Sequence, residues 1–186
     1  INREIEHPKA SIVNVDIYKG AQLAIEHLLS RGHTCIGMLS HEGHLPDEMR
    51  RVCGYRETLQ KHGIEPQEEW LVLVPPNLMG GYQATQKLLT QHPEISAIFT
   101  YNDLMAIGAL RSCYDMGMEI PTDCAIIGFD NIKFAQMQRP SLSSIRYDKY
   151  TVGQKAMLRL LEIIEQPDKV YQPIRMDVEL VVREST

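Results

Sequence analysis

Residues Ser96–Asn131, SAIFTYNDLMAIGALRSCYDMGMEIPTDCAIIGFDN, decide the fold. An apolar strand, Ile95 to Thr100, ends at the polar pair Asn102-Asp103. Leu104 to Met116 then repeats apolar residues at helical spacing, and its small residues Ala106, Gly108 and Ala109 let a helix lie close to a sheet. Gly117 and Pro121 punctuate the turn, and Cys124 to Phe129 forms a second apolar strand ending at Asp130. In an open parallel sheet, polar residues at the carboxyl ends of strands face the crevice where such folds bind ligands. Asn102 and Asp130 can exchange hydrogen bonds with hydroxyl groups, and the stretch pairs no nucleophile with a base. The chemistry is that of a binding site.

The same alternation extends outward. Ser11 to Val15 is a short β-branched run ending at Asp16. From Tyr18 to Arg31, Ala21, Ala24, Ile25, Leu28 and Leu29 recur at helical spacing, and Gly32 closes the helix. Thr34 to Leu39 is strand-like, His41 to Pro46 a loop, and Asp47 to His62 an amphipathic helix stopped by Gly63. Trp70 to Val74 is a strand halted by Pro75-Pro76, and Met79 to Gln91 is the next helix. Strands alternating with helices predict an α/β fold, a doubly wound parallel sheet with helices on both faces. Beyond Asn131 the period changes. Ile145 to Tyr147 is a short extended piece, Tyr150 to Glu165 a Leu/Ile-rich helix, and Val170 to Met176 and Val178 to Arg183 are two strand-like runs.

Composition narrows the classes. A chain of 186 residues, 44% of them hydrophobic, can bury a sizeable core in one large or two small domains. A net charge of −5 argues against a nucleic-acid surface within these residues, because phosphate binding needs clustered Lys and Arg. No apolar run reaches membrane-spanning length. The four cysteines, Cys35, Cys53, Cys113 and Cys124, lack zinc-site spacing and read as buried free thiols of a reducing cytoplasm. His41 and His44 in HEGH do not make the HExxH zinc pattern, so they are expected in a solvated loop, and no metal or cofactor is expected. The opening INREIEHPK has no initiator Met and no helix cap, and reads as a strand end entering a loop, as though the chain joins a longer protein midway.

These segments resemble the effector-binding core of the lactose-repressor/galactose-repressor (LacI/GalR) family of transcription regulators. The resemblance is carried by Ile1-Asn2-Arg3, VDIYKGAQLAIEHLLSRGH at Val15–His33, and Arg51-Val52-Cys53-Gly54-Tyr55-Arg56. It continues through Gly81-Tyr82 with Leu88-Leu89, AIFTYNDLMAIGAL at Ala97–Leu110, IPTDCAIIGFDN at Ile120–Asn131, and Pro140-Ser141-Leu142 before Ser143-Ser144-Ile145. It implies a two-lobed, periplasmic-binding-protein-like core. Residues 16–145 would form the C-terminal lobe, 1–15 and 146–172 remnants of the N-terminal lobe, and 173–186 a return to the C-terminal lobe. Operator DNA would be met by an N-terminal helix-turn-helix headpiece absent from this chain.

The resemblance also assigns roles. Arg51 falls where the family forks a guanidinium onto ligand hydroxyls or a carboxylate. Alone, it reads first as an ordinary helix-face arginine beside Arg50, and the resemblance is what turns it toward the ligand. Asn102 occupies the ligand-amide position, while Asp103 either joins it or caps the following helix. Asp130 would accept sugar hydroxyls, with an Asx-turn as its local alternative. Tyr147, at a crossover between lobes, Phe129, Tyr101 and Pro76 are the apolar candidates, and Asn2 and Arg3 would face the cleft from the other lobe. The implied function is sensing of a small sugar, polyol or similar metabolite by a cytoplasmic homodimer that carries no enzyme activity. A transporter's solute-binding protein is the alternative on the same fold. No G-x-S-x-G elbow, P-loop or dinucleotide fingerprint supports an enzyme. The helix Tyr150–Glu165 would be a core helix whose own sheet is missing from this stretch of chain.

Overall fold

The computed structural model describes residues 11–43 and 46–186. In chain order its elements are β1 (Val13–Val15), α1 (Ile17–Ser30), β2 (Ile36–His41), α2 (Pro46–Lys61), β3 (Leu71–Val74), α3 (Leu78–Gln91) and β4 (Ala97–Thr100). There follow α4 (Asp103–Asp115), β5 (Ala125–Phe129), β6 (Ser143–Arg146), α5 (Lys149–Glu165), β7 (Ile174–Met176) and β8 (Glu179–Val181). Trp70, expected in a strand, instead ends a 3-10 turn at Glu68–Trp70 that leads into β3.

Six strands form the main sheet in the order β3-β2-β4-β5-β6-β8. All its ladders are parallel except β6 with β8. From β2 the chain first goes to β3 on one side, then crosses to β4 on the other. The winding reverses there, and the crevice of such a sheet opens at the carboxyl ends of β2 and β4.

Side chains alternate across the sheet. Ala97 and Phe99 of β4, with Ala125, Ile127 and Phe129 of β5, join the core under α1 and α2. Ile98 and Ile126 join the opposite core under α3 and α4. Both faces are covered, which explains the unbroken apolar runs in the sequence. Each large side chain buried in this way contributes about 1.5–3 kcal/mol. Helix starts follow the Asx rule: Asp16, Asn77, Asn102 and Asp148 each accept a backbone N–H from the first turn of α1, α3, α4 and α5. A Cβ on Gly108 of α4 would stand 2.1 Å from the Leu78 carbonyl oxygen, so α3 and α4 meet backbone to backbone.

β1 and β7 pair in a separate two-stranded parallel sheet, against which α5 rests. The expected return at 173–186 is therefore divided. β7 stays with β1, and β8 is the strand that joins the main sheet. Along α5 only Val152 is buried, while Met157, Leu158, Leu160, Leu161 and Ile164 are about half exposed or more. The cysteines depart from the uniform expectation: Cys113 and Cys124 are buried, Cys35 is partly so, and Cys53 is exposed on α2. No helix among the described residues is long and apolar enough to cross a membrane.

Candidate ligand-binding site

A cleft of about 190 Å³ opens at the carboxyl edge of the sheet, lined by Val15, Ile17, Arg51, Tyr101, Phe129, Asp130 and Tyr147. They come from five separate places along the chain, and the parallel sheet gathers them. Tyr101 follows β4, Asp130 follows β5, and Tyr147 follows β6. Arg51 reaches in from α2, and Val15 and Ile17 flank the β1-to-α1 crossing.

Arg51 is 4% exposed. Its guanidinium carbon lies 4.1 Å from the centroid of the Tyr101 ring and 4.4 Å from that of Phe129. A planar, weakly hydrated cation suits this slot, and each desolvated stacking contact returns up to about 2 kcal/mol of the burial cost. The Tyr101 ring also meets the His41 imidazole, with ring centroids 5.5 Å apart. The stack fixes the plane of the guanidinium, and so the directions in which it can donate.

Asp130 sits in a conformation that L residues rarely adopt, with φ of +101°. Such a residue costs on the order of 1–3 kcal/mol and persists only where its surroundings hold it. Here they do. The Asp130 N–H donates to Ile145 O at 2.9 Å, and the Lys149 ammonium donates to the Asp130 carbonyl. The next two amides are also held: Asn131 N–H donates to Ser144 Oγ at 3.0 Å, and Ile132 N–H to Asp103 Oδ2 at 2.7 Å. Asn131, with φ of +45°, accepts from Arg183 at 2.8 Å through its side chain.

The Tyr147 hydroxyl lies near the Asp130 carboxylate. Burial pushes the Asp130 carboxyl above its ordinary value, while Arg51, Lys149 and the Tyr147 hydroxyl pull it back. Burial, then the neighbouring Asp130 charge, raises the Tyr147 phenol to about 12. The phenol therefore stays protonated at neutral pH. The arrangement offers a rigid donor fork, a carboxylate acceptor and aromatic walls, which suits a hydroxyl-rich molecule.

The expected site residues divide. Arg51, Asp130, Tyr147 and Phe129 share the cleft, together with Tyr101. Phe129 is 1% exposed and serves chiefly as one wall of the arginine slot. Asn102 is not among the lining residues. Its Oδ1 accepts the Met105 N–H at 2.9 Å and its Nδ2 donates to Pro76 O at 3.1 Å. Asn102, not Asp103, is the helix cap. Asp103 lies 1% exposed beneath the cleft, accepting from Ser144 Oγ at 2.6 Å as well as from Ile132. Pro76 is not among the lining residues either, and its carbonyl accepts from Asn102 Nδ2. Asn2, Arg3 and His44 lie outside the described residues. Among the described residues no group of three or more His, Cys, Asp or Glu is placed to hold a metal ion.

Sequence reasoning missed Val15, Ile17, Lys149 and Ser144. Lys149 lies 4.6 Å over the Tyr147 ring, a pairing two residues apart that only the crossover geometry creates. Ser143-Ser144 stands between apolar Leu142 and Ile145, and a buried serine in that setting was the available signal.

The family model of the periplasmic binding protein-like domain matches residues 25–186. The HTH-type transcriptional regulator GalS of Salmonella typhimurium is 37% identical over 147 residues, covering 79% of this chain and 43% of that protein. A LacI-family transcriptional regulator from Enterococcus faecium, solved with bound ribose, superposes with a TM-score of 0.88 at 31% identity, covering 98% of this chain and 68% of that one. The transcriptional regulator CelR in complex with cellobiose gives a TM-score of 0.92 at 26% identity over 98% of this chain and 56% of that one. The chain spans about half the length of the curated relatives it matches.

Proposed function

Because the chain belongs to the LacI family of periplasmic-binding-protein-like regulators, we propose that it is the effector-sensing part of a DNA-binding transcription regulator. The effector is a small sugar, polyol or similar hydroxyl-rich metabolite. Arg51 and Asp130 grip its hydroxyls, and Tyr147, Tyr101 and Phe129 shape the walls. The carrying observation is the convergence of Arg51, Asp130 and Tyr147 on one cleft at the carboxyl edge of the sheet. Ribose and cellobiose in the two similar structures support the sugar class.

In this reading residues 16–145 form one lobe, and β1, α5 and β7 belong to the other. Three crossings, near Asp16, Tyr147 and Asp177, join the lobes beside the cleft. Ligand closes the lobes and re-angles two copies of the protein, and with them two headpieces on operator DNA. Ligand and operator affinities are then linked reciprocally. The protein works in the cytoplasm and catalyses no reaction. The relatives named as regulators favour this over a transporter's solute-binding protein. The test is a thermal-shift screen of sugars and polyols on the full-length protein, followed by operator binding with each hit. A hit that alters operator affinity supports the reading. A hit that stabilises the protein without altering operator affinity favours the solute-binding alternative.

A further inference from the structure

We infer that Asp103 and Ser144 are positioning residues that hold the loop Asp130–Ile132 in its ligand-competent shape, without touching the ligand. The inference rests on the assignment of Asp130 to the effector cleft. Asp103 opens α4, yet the helix does not need it as a cap, since Asn102 Oδ1 takes the Met105 N–H at 2.9 Å. Its carboxylate is instead turned across the sheet edge and buried at 1% exposure. Oδ1 accepts the Ser144 hydroxyl at 2.6 Å and Oδ2 accepts the Ile132 N–H at 2.7 Å. Ser144 Oγ in turn accepts the Asn131 N–H at 3.0 Å. Two consecutive amides after Asp130 therefore end on one buried carboxylate–hydroxyl pair.

The strand beneath is built around this group. A Cβ on Gly128 would stand 2.2 Å from Asp103 Oδ1, so the carboxylate occupies the place of a side chain on β5. A buried carboxylate is disfavoured unless its hydrogen bonds are worth keeping. What these bonds keep is visible one residue upstream, in the Asp130 φ of +101°. Released from Asn131 and Ile132, Asp130 can relax to negative φ, which turns its carboxylate away from the cleft shared with Arg51 and Tyr147.

Hydrogen–deuterium exchange, resolved to single amides on the full-length protein without ligand, tests this for Asp103→Ala, Asp103→Asn and Ser144→Ala. In Asp103→Ala the Asn131 and Ile132 amides are expected to exchange about tenfold faster or more, while the β4 amides of Ile98 and Phe99 hold their wild-type rates. Ser144→Ala should speed Asn131 more than Ile132. Asp103→Asn should restore protection, because its carboxamide oxygen can accept from Ile132 while its NH₂ donates to Ser144 Oγ. Loop rates unchanged in both alanine variants, or loop and β4 rates rising by one common factor in both, would overturn the inference. If Asp103→Ala does not fold, Ser144→Ala decides alone. Because no ligand is present, failure here leaves the cleft assignment standing, and that assignment is tested separately through Asp130→Ala.

Discussion

The Arg51 guanidinium lies over the Tyr101 ring, 4.1 Å from cation carbon to ring centroid, and 4.4 Å from that of Phe129. A lysine keeps the charge but loses the planar fork and both stacking contacts. Arg51→Lys in the full-length protein is therefore expected to raise the effector concentration needed for half-maximal operator response at least about tenfold. Titration of operator binding against the effector found by screening reads this directly. Equal sensitivity of Arg51→Lys and wild type would remove the fork from ligand recognition.

Asp130 sits at φ +101°, so replacing it separates strain from chemistry. Asp130→Ala and Asp130→Gly both lack the carboxylate that lines the cleft beside Tyr147. Only glycine adopts this φ at no steric cost. Asp130→Gly is expected to be more stable than Asp130→Ala by about 1 kcal/mol in urea unfolding. Equal midpoints for the two would mean the loop relaxes freely and stores no strain.

Asp103 links the site to pH. Burial, only partly offset by the bonds from Ser144 and Ile132, raises its carboxyl from 3.8 to about 6, with Asp130 adding to the rise and Lys149 opposing it. A raised carboxyl favours the neutral form in the folded state. Its favourable contribution is full below about pH 3.8 and is lost as pH climbs through about 6, an effect of about 3 kcal/mol at most. Asp103→Asn is neutral at every pH. The stability of Asp103→Asn relative to wild type should therefore increase between about pH 4 and pH 6 and level off above. Paired urea unfolding curves across that range check it, and a flat difference would show that Asp103 is not the buried titrating group.

The contact of α3 with α4 leaves no room at Gly108, where a Cβ would meet Leu78 O at 2.1 Å. Gly108→Ala improves helix propensity yet should lower stability by about 1–3 kcal/mol, because backbone cannot yield as a side-chain tip can. Thermal unfolding at neutral pH measures the sign.

The alternation of strands and helices was legible because the apolar runs of β2, β4 and β5 are buried on both faces and α1, α3, α4 and α5 each begin at an Asx residue. Ile98 and Phe99 serve opposite cores from adjacent positions. Residues at strand ends were legible too, since a parallel sheet sends them all to one edge, and Asp130, Tyr101 and Tyr147 arrive there together. What spacing could not distinguish was the division of labour within Asn102-Asp103. Both can cap a helix or face a crevice, and the choice depends on Ser144 and Ile132, which lie 41 and 29 residues away. The pairing of β7 with β1 was hidden for the same reason. Partner choice between short strands is set by long-range packing, and the run Val170–Met176 carries no mark of it.

The most direct measurement is operator binding by full-length Asp130→Ala, with and without the effector that shifts the wild-type protein. The expected result is operator affinity within about twofold of wild type and a response to effector that is absent at any attainable concentration. Wild-type responsiveness in that variant would contradict the assignment of the cleft formed by Arg51, Asp130 and Tyr147 as the sensor.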